Sequence, residues 1–428
     1  MGFDFADKKL FDYIFTGEFG IEKECLRTDQ RGYLSCTPHP FLNHKHIQRD
    51  FCESQVEFIT DVFNDVQKVE SQLYSLHTTV AQKIADDYNE LIWPFSNPPY
   101  VKNEDSIPVA NFVGSMKNKS VYRQYLAEKY GKMKMLYSGI HLNFSFAEPL
   151  LNYAFSKSGV KNFTEFKNGI YLELAKKLIS YTWLIVYLTA ASPVMDGSFF
   201  SSEMLGKSKV TDYRSVRCGK LGYWNSFVPI LGFSSIDDYT ASIQSYIDKG
   251  LLKSASELYY PIRLKPKGEN SLQQLGNGVN HIELRMLDVN PFSPVGIFAE
   301  DINFIHLLII YLMSKPDYNF TDDMQCKAIS NEKNAASFIN DEIYFNGSYV
   351  KVGEAAKNVI EDMQSFFKGF DSNSINCTLK YQLDKLIYPE KNYAQRAIKE
   401  FGDNYVQRGI ELAQGYRNKL LGEAKQNV

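Results

Sequence analysis

Three short segments of this chain alternate residue by residue between polar and apolar side chains, and that alternation restricts the fold more than any other feature. In residues 138–146 (SGIHLNFSF), Gly139, His141, Asn143 and Ser145 fall on one side and Ile140, Leu142, Phe144 and Phe146 on the other. Residues 259–265 (YYPIRLK) set Tyr259, Pro261, Arg263 and Lys265 against Tyr260, Ile262 and Leu264. Residues 281–287 (HIELRML) set His281, Glu283 and Arg285 against Ile282, Leu284 and Met286. Successive side chains of a strand point to opposite faces, so each segment is a strand with an apolar back and a polar front. Strands of a parallel sheet covered on both sides are apolar throughout, which these are not. The expected architecture is therefore α+β: an open, mainly antiparallel sheet whose polar face receives a ligand and whose apolar face is backed by helices.

A fourth segment, residues 19–27 (FGIEKECLR), places Glu22 and Glu24 on one face. Adjacent like charges need a counter-charge, and hard carboxylate oxygens suit Mg²⁺. The same pattern also suits a solvated strand edge, so its meaning depends on its company. Residues 47–60 (IQRDFCESQVEFIT) add Asp50 and Glu57, seven positions apart. A helix would align them and a single uninterrupted strand would not; helix, bulge and turn all remain open. Further helices are expected over 1–18, 61–92, 118–131, 162–191 and 235–249. After Pro294 the pattern is helical, over 304–313, 354–367 and 392–421. This divides the chain into a core of strands and helices (1–300) and a helical C-terminal region packed on it (301–428).

The balance of 47 basic and 50 acidic residues argues against a nucleic-acid surface. The six cysteines include no CxxC pair, which argues against a zinc site and for free thiols in a reducing compartment. The N-terminus lacks the apolar run of a signal peptide, Ala6 breaks a myristoylation signal, and the longest apolar runs are too short for a bilayer. A cytoplasmic protein with no membrane, nucleic-acid or obligate protein partner is expected. No phosphate-binding glycine loop is present, so a nucleotide would be held through metal and side chains. Glu22, Glu24, His141 and Glu283 are the candidate metal ligands on strand faces, and Arg285 the candidate phosphate contact.

GIEKECLR, GYLSCTPHP, RDFCESQVEFIT, WPFSNPPY, SGIHLNFSF, LGYWN, ELYYPIR and HIELRMLDVNPFSP follow one another in that order. Together they resemble the glutamate–cysteine ligase family of bacteria, nearest to the ligase module that opens bifunctional glutathione synthetases. The resemblance covers residues 10–300. It implies a glutamine-synthetase-like fold, an open curved sheet forming an active-site funnel. It implies ATP- and Mg²⁺-dependent joining (Mn²⁺ as the alternative ion) of L-glutamate to L-cysteine through γ-glutamyl phosphate, the first step of glutathione biosynthesis. By the same resemblance the metal ligands are Glu22, Glu24, Asp50, Glu57, His141 and Glu283. Glu283 and Arg285 are catalytic, and Arg285 with Arg263 meets the ATP phosphates. Phe51, Tyr122, Arg123, Arg217, Tyr223 and Tyr259 line the amino-acid pockets. Nothing after Asn290 resembles an ATP-grasp domain, so the dipeptide is the expected product. A ligase for another amine acceptor and an inactive homologue acting as a binding protein are the alternatives.

Overall fold

The computed structural model describes residues 2–370 and 372–426. Its organising strand is β1 (Gly17–Thr28), the long central member of a seven-stranded sheet. β2 (Ile47–Arg49) and β3 (Gln55–Ile59) form a hairpin on one side of it, and β4 (Leu91–Ile92) pairs with its end. On the other side come β5 (Gly139–Phe146), β9 (His281–Asp288) and β8 (Ile262–Lys265). The strand order is β2-β3-β1-β5-β9-β8, and every pair is antiparallel. A smaller pair, β6 (Val194–Asp196) and β7 (Ser208–Val210), lies apart from this sheet.

The alternation decides which face is covered. Ile140, Leu142 and Phe144 of β5 and Ile282 and Leu284 of β9 are fully buried on the back. Against them packs α4 (Phe163–Thr189), a helix apolar on nearly all sides, as a helix enclosed on every face must be. Beyond it lie α7 (Ala299–Ser314), α8 (Asp322–Ala335) and α9 (Val352–Phe367). α1 (Val66–Tyr88) covers the back of β1 and β3, and α12 (Tyr405–Gln426) packs on α1. The main apolar cluster runs from Phe3 to Leu379, so the helices after residue 300 share one core with the sheet.

Two expected helices are corrected. Residues 1–18 do not form one helix; a 3₁₀ turn at Lys8–Asp12 precedes β1. A helix running to residue 18 would withdraw Gly17 and Glu18 from their partners Phe146 and Ser145. The C-terminal region is helical as expected, with a short hairpin of β10 (Glu342–Phe345) and β11 (Ser348–Lys351) set within it. Asn346 and Gly347 turn it with φ of 50° and 87°, the left-handed pair that an Asn-Gly hairpin requires. The helix expected over 392–421 is broken between α11 (Tyr393–Phe401) and α12, where the Tyr405 amide donates to Ser208 Oγ at 2.6 Å. No helix among the described residues is long and apolar enough to cross a membrane. All six cysteines are free.

Burial pushes the imidazoles of His39 and His306 down to about 4. Between about pH 6.5 and 4 the unfolded chain therefore binds protons at these sites that the folded chain does not. Their contribution is fully present above pH 6.5 and is lost as pH falls. Because the buried carboxyls act in the opposite sense over this range, the difference between proteins is the readout: relative to wild type, the urea midpoint of His306→Gln is expected to rise on going from pH 7 to pH 5.

Candidate functional site

The open face of the sheet collects the acids. Register places Glu24 of β1 opposite Glu57 of β3, Glu22 opposite His141 of β5, and Glu283 of β9 between Asn143 of β5 and Arg263 of β8. Asp50 reaches the same region because the chain turns between β2 and β3, which resolves the helix, bulge or turn alternatives in favour of the turn. Sheet pairing thus assembles on one surface groups that are far apart in sequence.

Two sub-sites result. In the first, ligand atoms of Glu22, His141 and Glu283 all lie within 4.8 Å of one another, the one such group among the described residues. Glu22 Oε2 lies 3.5 Å from His141 Nδ1, and Glu22 Oε1 accepts from Asn143 Nδ2 at 3.0 Å. With Nδ1 donating to Glu22, His141 Nε2 carries a bare lone pair, and this buried atom has no hydrogen-bond partner. Burial holds the His141 pKa down, helped by the Arg285 guanidinium, so the ring is neutral, as a metal ligand must be. Two carboxylates and an unpartnered imidazole nitrogen fit a divalent cation, the nitrogen favouring Mn²⁺ more than Mg²⁺ would demand. Glu283 is also met by Arg285 Nη1 at 2.8 Å, Lys265 Nζ at 3.2 Å and Arg263 Nε at 3.9 Å. Burial alone would raise its pKa, but Arg285, Lys265 and Arg263 hold it well below the usual carboxylate range.

The second sub-site is Glu24, Glu57 and Asp50. Burial and the Asp50 charge push Glu24 up to about 7 and Glu57 well above the carboxylate range. These acids crowd one another without cations enough to balance them. Asp50 has a charged partner, Arg123 Nη2 donating to its Oδ1 at 2.6 Å, while Glu24 Oε2 accepts only from the Gly139 amide at 3.2 Å. They stand beside the first group and outside its 4.8 Å circle.

Next to the first sub-site is a cavity of about 50 Å³ bordered by Arg217, Tyr223, Trp224, Tyr259, Arg285 and Glu332, among others. Arg217 comes from the glycine-containing loop and crosses over Gly139. A Cβ there would lie 2.2 Å from the guanidinium carbon, so only glycine permits the crossing. Its Nη2 donates to the Arg285 carbonyl at 2.6 Å, while its Nε has no partner. Tyr223 and Tyr259 meet edge to face at 4.7 Å, and the buried Tyr259 hydroxyl is also unpartnered. Orphaned donors around one cavity mark a place for a polar ligand.

Of the expected pocket residues, Arg217, Tyr223 and Tyr259 border this cavity and three do not. Tyr122 stacks on Tyr125, and Arg123 is engaged with Asp50. The Phe51 ring is fully buried in a separate apolar cluster with Leu26 and Leu136. Arg263 spends one nitrogen on the Ala255 carbonyl. Asn143 and Lys265, visible in sequence only as front-face positions, and Glu332, with no sequence signal at all, are the groups the sequence does not single out.

An open antiparallel sheet with acids, one imidazole and guanidinium groups on its free face can hold a divalent cation beside a phosphate or carboxylate. The family profile described as glutamate-cysteine ligase matches residues 4–251 and 233–335. The glutathione biosynthesis bifunctional proteins GshAB of Clostridium perfringens and Listeria monocytogenes are 33% and 34% identical, each aligned over 97% of this chain. The alignments span 56% and 57% of those proteins, so the chain spans about half the length of these relatives. The bifunctional glutathione synthetase of Pasteurella multocida superposes with a TM-score of 0.82 at 27% identity, over 97% of this chain and 54% of that one. The glutamate–cysteine ligase of Francisella tularensis, solved with AMP, superposes at 0.84 and 22% identity, over 95% and 89%, and so shares the fold. The chain belongs to the glutamate–cysteine ligase family.

Proposed function

We propose that this chain joins the γ-carboxylate of L-glutamate to the amine of L-cysteine at the expense of ATP, giving γ-glutamylcysteine, ADP and phosphate in the cytoplasm. The observation that carries this reading is the meeting of Glu22, His141 and Glu283 around an unpartnered imidazole nitrogen, directly beside the arginine-lined cavity.

A carboxylate does not acylate an amine at neutral pH, and it and ATP repel one another. Glu22, His141 and Glu283 would hold a divalent cation, with Glu24, Glu57 and Asp50 beside them for further ions, and that charge would offset the repulsion between phosphates and carboxylate. Arg285 rests on Glu283 and faces the cavity, so it exchanges a carboxylate for a phosphoryl oxygen as the γ-phosphoryl group moves to glutamate. Arg263 and Lys265 extend the positive surface along β8 toward the remaining phosphates. Arg217 turns its free Nε to a substrate carboxylate. Tyr223 and Tyr259 wall the space where the acceptor amine attacks the acyl phosphate, displacing phosphate as the amide bond forms. Positioning of this kind supplies much of the acceleration of such reactions.

ADP release is expected to need glutamate, an amine and a divalent cation together, and to fall to background with excess chelator. A panel of amines with mass detection of products identifies the acceptor. ADP release that ran equally without any amine, or in chelator, would defeat the reading; a strong preference for an amine other than cysteine would replace the acceptor and keep the reaction class.

A further inference from the structure

α8 brings one acid of the C-terminal third into the cavity. Glu332 is 1% exposed, borders the same space as Arg217 and Arg285, and its buried Oε2 has no hydrogen-bond partner. The helix that carries it is fixed. Gln325 bonds both the amide and the carbonyl of Leu231, and Asn331 bonds both the amide and the carbonyl of Tyr344. Burial pushes the Glu332 carboxyl up to about 7, and Thr182, Lys333 and Arg217 counter this only in part. The neighbouring Lys333 does not neutralise it, since its ammonium lies over the Trp224 ring, 4.3 Å from the centroid. The cavity therefore offers two guanidinium groups and one carboxylate that lacks a cation.

That set is the inverse of one molecule's charges. A 2-amino dicarboxylate carries two carboxylates and one ammonium. On the ligase reading, Arg285, which rests on Glu283, would meet the carboxylate to be activated, and Arg217, across the same cavity, would meet the other. An ammonium gripped by a buried carboxylate keeps its proton and has no lone pair to attack with. The partner of Glu332 is accordingly the amine that does not react. We infer that Glu332 is a specificity-determining residue that binds the α-ammonium of the acid substrate. This rests on the ligase reading above and adds the group that separates glutamate from simple dicarboxylates.

The test compares glutamate with glutarate, which has the same two carboxylates and no amine. ADP release is measured with cysteine held constant, in the wild-type protein and in Glu332→Gln. Wild type is expected to favour glutamate in kcat/KM by about 10²-fold or more, as expected when a buried charged group would otherwise stay unpaired. In Glu332→Gln the KM for glutamate rises at least about tenfold, glutarate is used as well as before, and the KM for cysteine stays within about twofold. Undiminished preference for glutamate in the variant, or a rise in KM for cysteine alone, would overturn the inference. If Glu332→Gln does not fold, Glu332→Asp is compared with wild type by thermal protection without ATP. A smaller excess of protection by glutamate over glutarate in Glu332→Asp than in wild type supports the assignment, and an equal excess, or no excess in wild type, refutes it. Absence of any ADP release by wild type with glutamate and cysteine counts against the ligase reading, while the thermal-protection comparison of variant and wild type still judges Glu332.

Discussion

Glu283→Gln is expected to lower turnover by about 10³-fold, the scale of losing a group that organises charge at the reacting centre. The same change is expected to destabilise the fold, which separates this position from a merely positioning one. Glu283 is 1% exposed and faces Arg263, Lys265 and Arg285 at once. Removing its charge leaves three crowded cations without their common anion, at a cost of about 3–5 kcal/mol. Both losses are read on one preparation: ADP release for turnover, urea denaturation for stability. A variant that stays as stable as wild type would mean that the cations relax into solvent. A variant that keeps its turnover would remove Glu283 from the proposed metal ligands.

The second large effect falls on stability alone. Arg27, at the end of β1, is fully buried and bonds Glu90 Oε2 through Nη1 at 2.5 Å. Glu90 also accepts from Ser35 Oγ at 2.6 Å and Thr37 Oγ1 at 2.8 Å, while Arg27 Nη2 donates to the Glu53 carbonyl at 2.9 Å. The pair ties β1, the following loop and the turn after β2 together. Glu90→Ala leaves a buried guanidinium uncompensated and is expected to cost about 3–5 kcal/mol. Replacing both partners, Arg27→Met with Glu90→Leu, is expected to recover most of that loss, since no charge then remains buried. Turnover per folded molecule should stay within about twofold in Glu90→Ala. A double variant as unstable as the single one would show that the hydrogen bonds to Ser35, Thr37 and Glu53, and not the charge pair, hold this corner.

Part of the site was readable in the chain because its signals are local. Period-two alternation needs only neighbouring residues, so the polar fronts carrying Glu22, His141, Glu283 and Arg285 could be read directly. The ordered motifs likewise pointed to the family. Other features depend on partners distant in sequence. Asp50 and Glu57 share a site only because a turn folds β2 back on β3, and the sequence left that turn as one of three alternatives. Phe51 was expected in a pocket and lies in the core, since an aromatic beside an acid carries no mark of which way it faces. Arg123 pairs with Asp50, a contact set by where α2 (Lys117–Tyr130) docks and carrying no mark in the sequence.

The sequence by itself determined that the sheet has one wet face, which acids and bases stand on it, and that glycine occurs at 139. Alternation and composition are properties of the chain alone. Only the tertiary structure decided that β1, β5 and β9 lie side by side, so that Glu22, His141 and Glu283 close to within 4.8 Å. It also decided that Gly139 makes room for Arg217, and that a helix from the C-terminal third delivers Glu332 to the same cavity. Strand order and helix docking follow from burying every apolar face at once, a condition on the whole chain that no single segment can express.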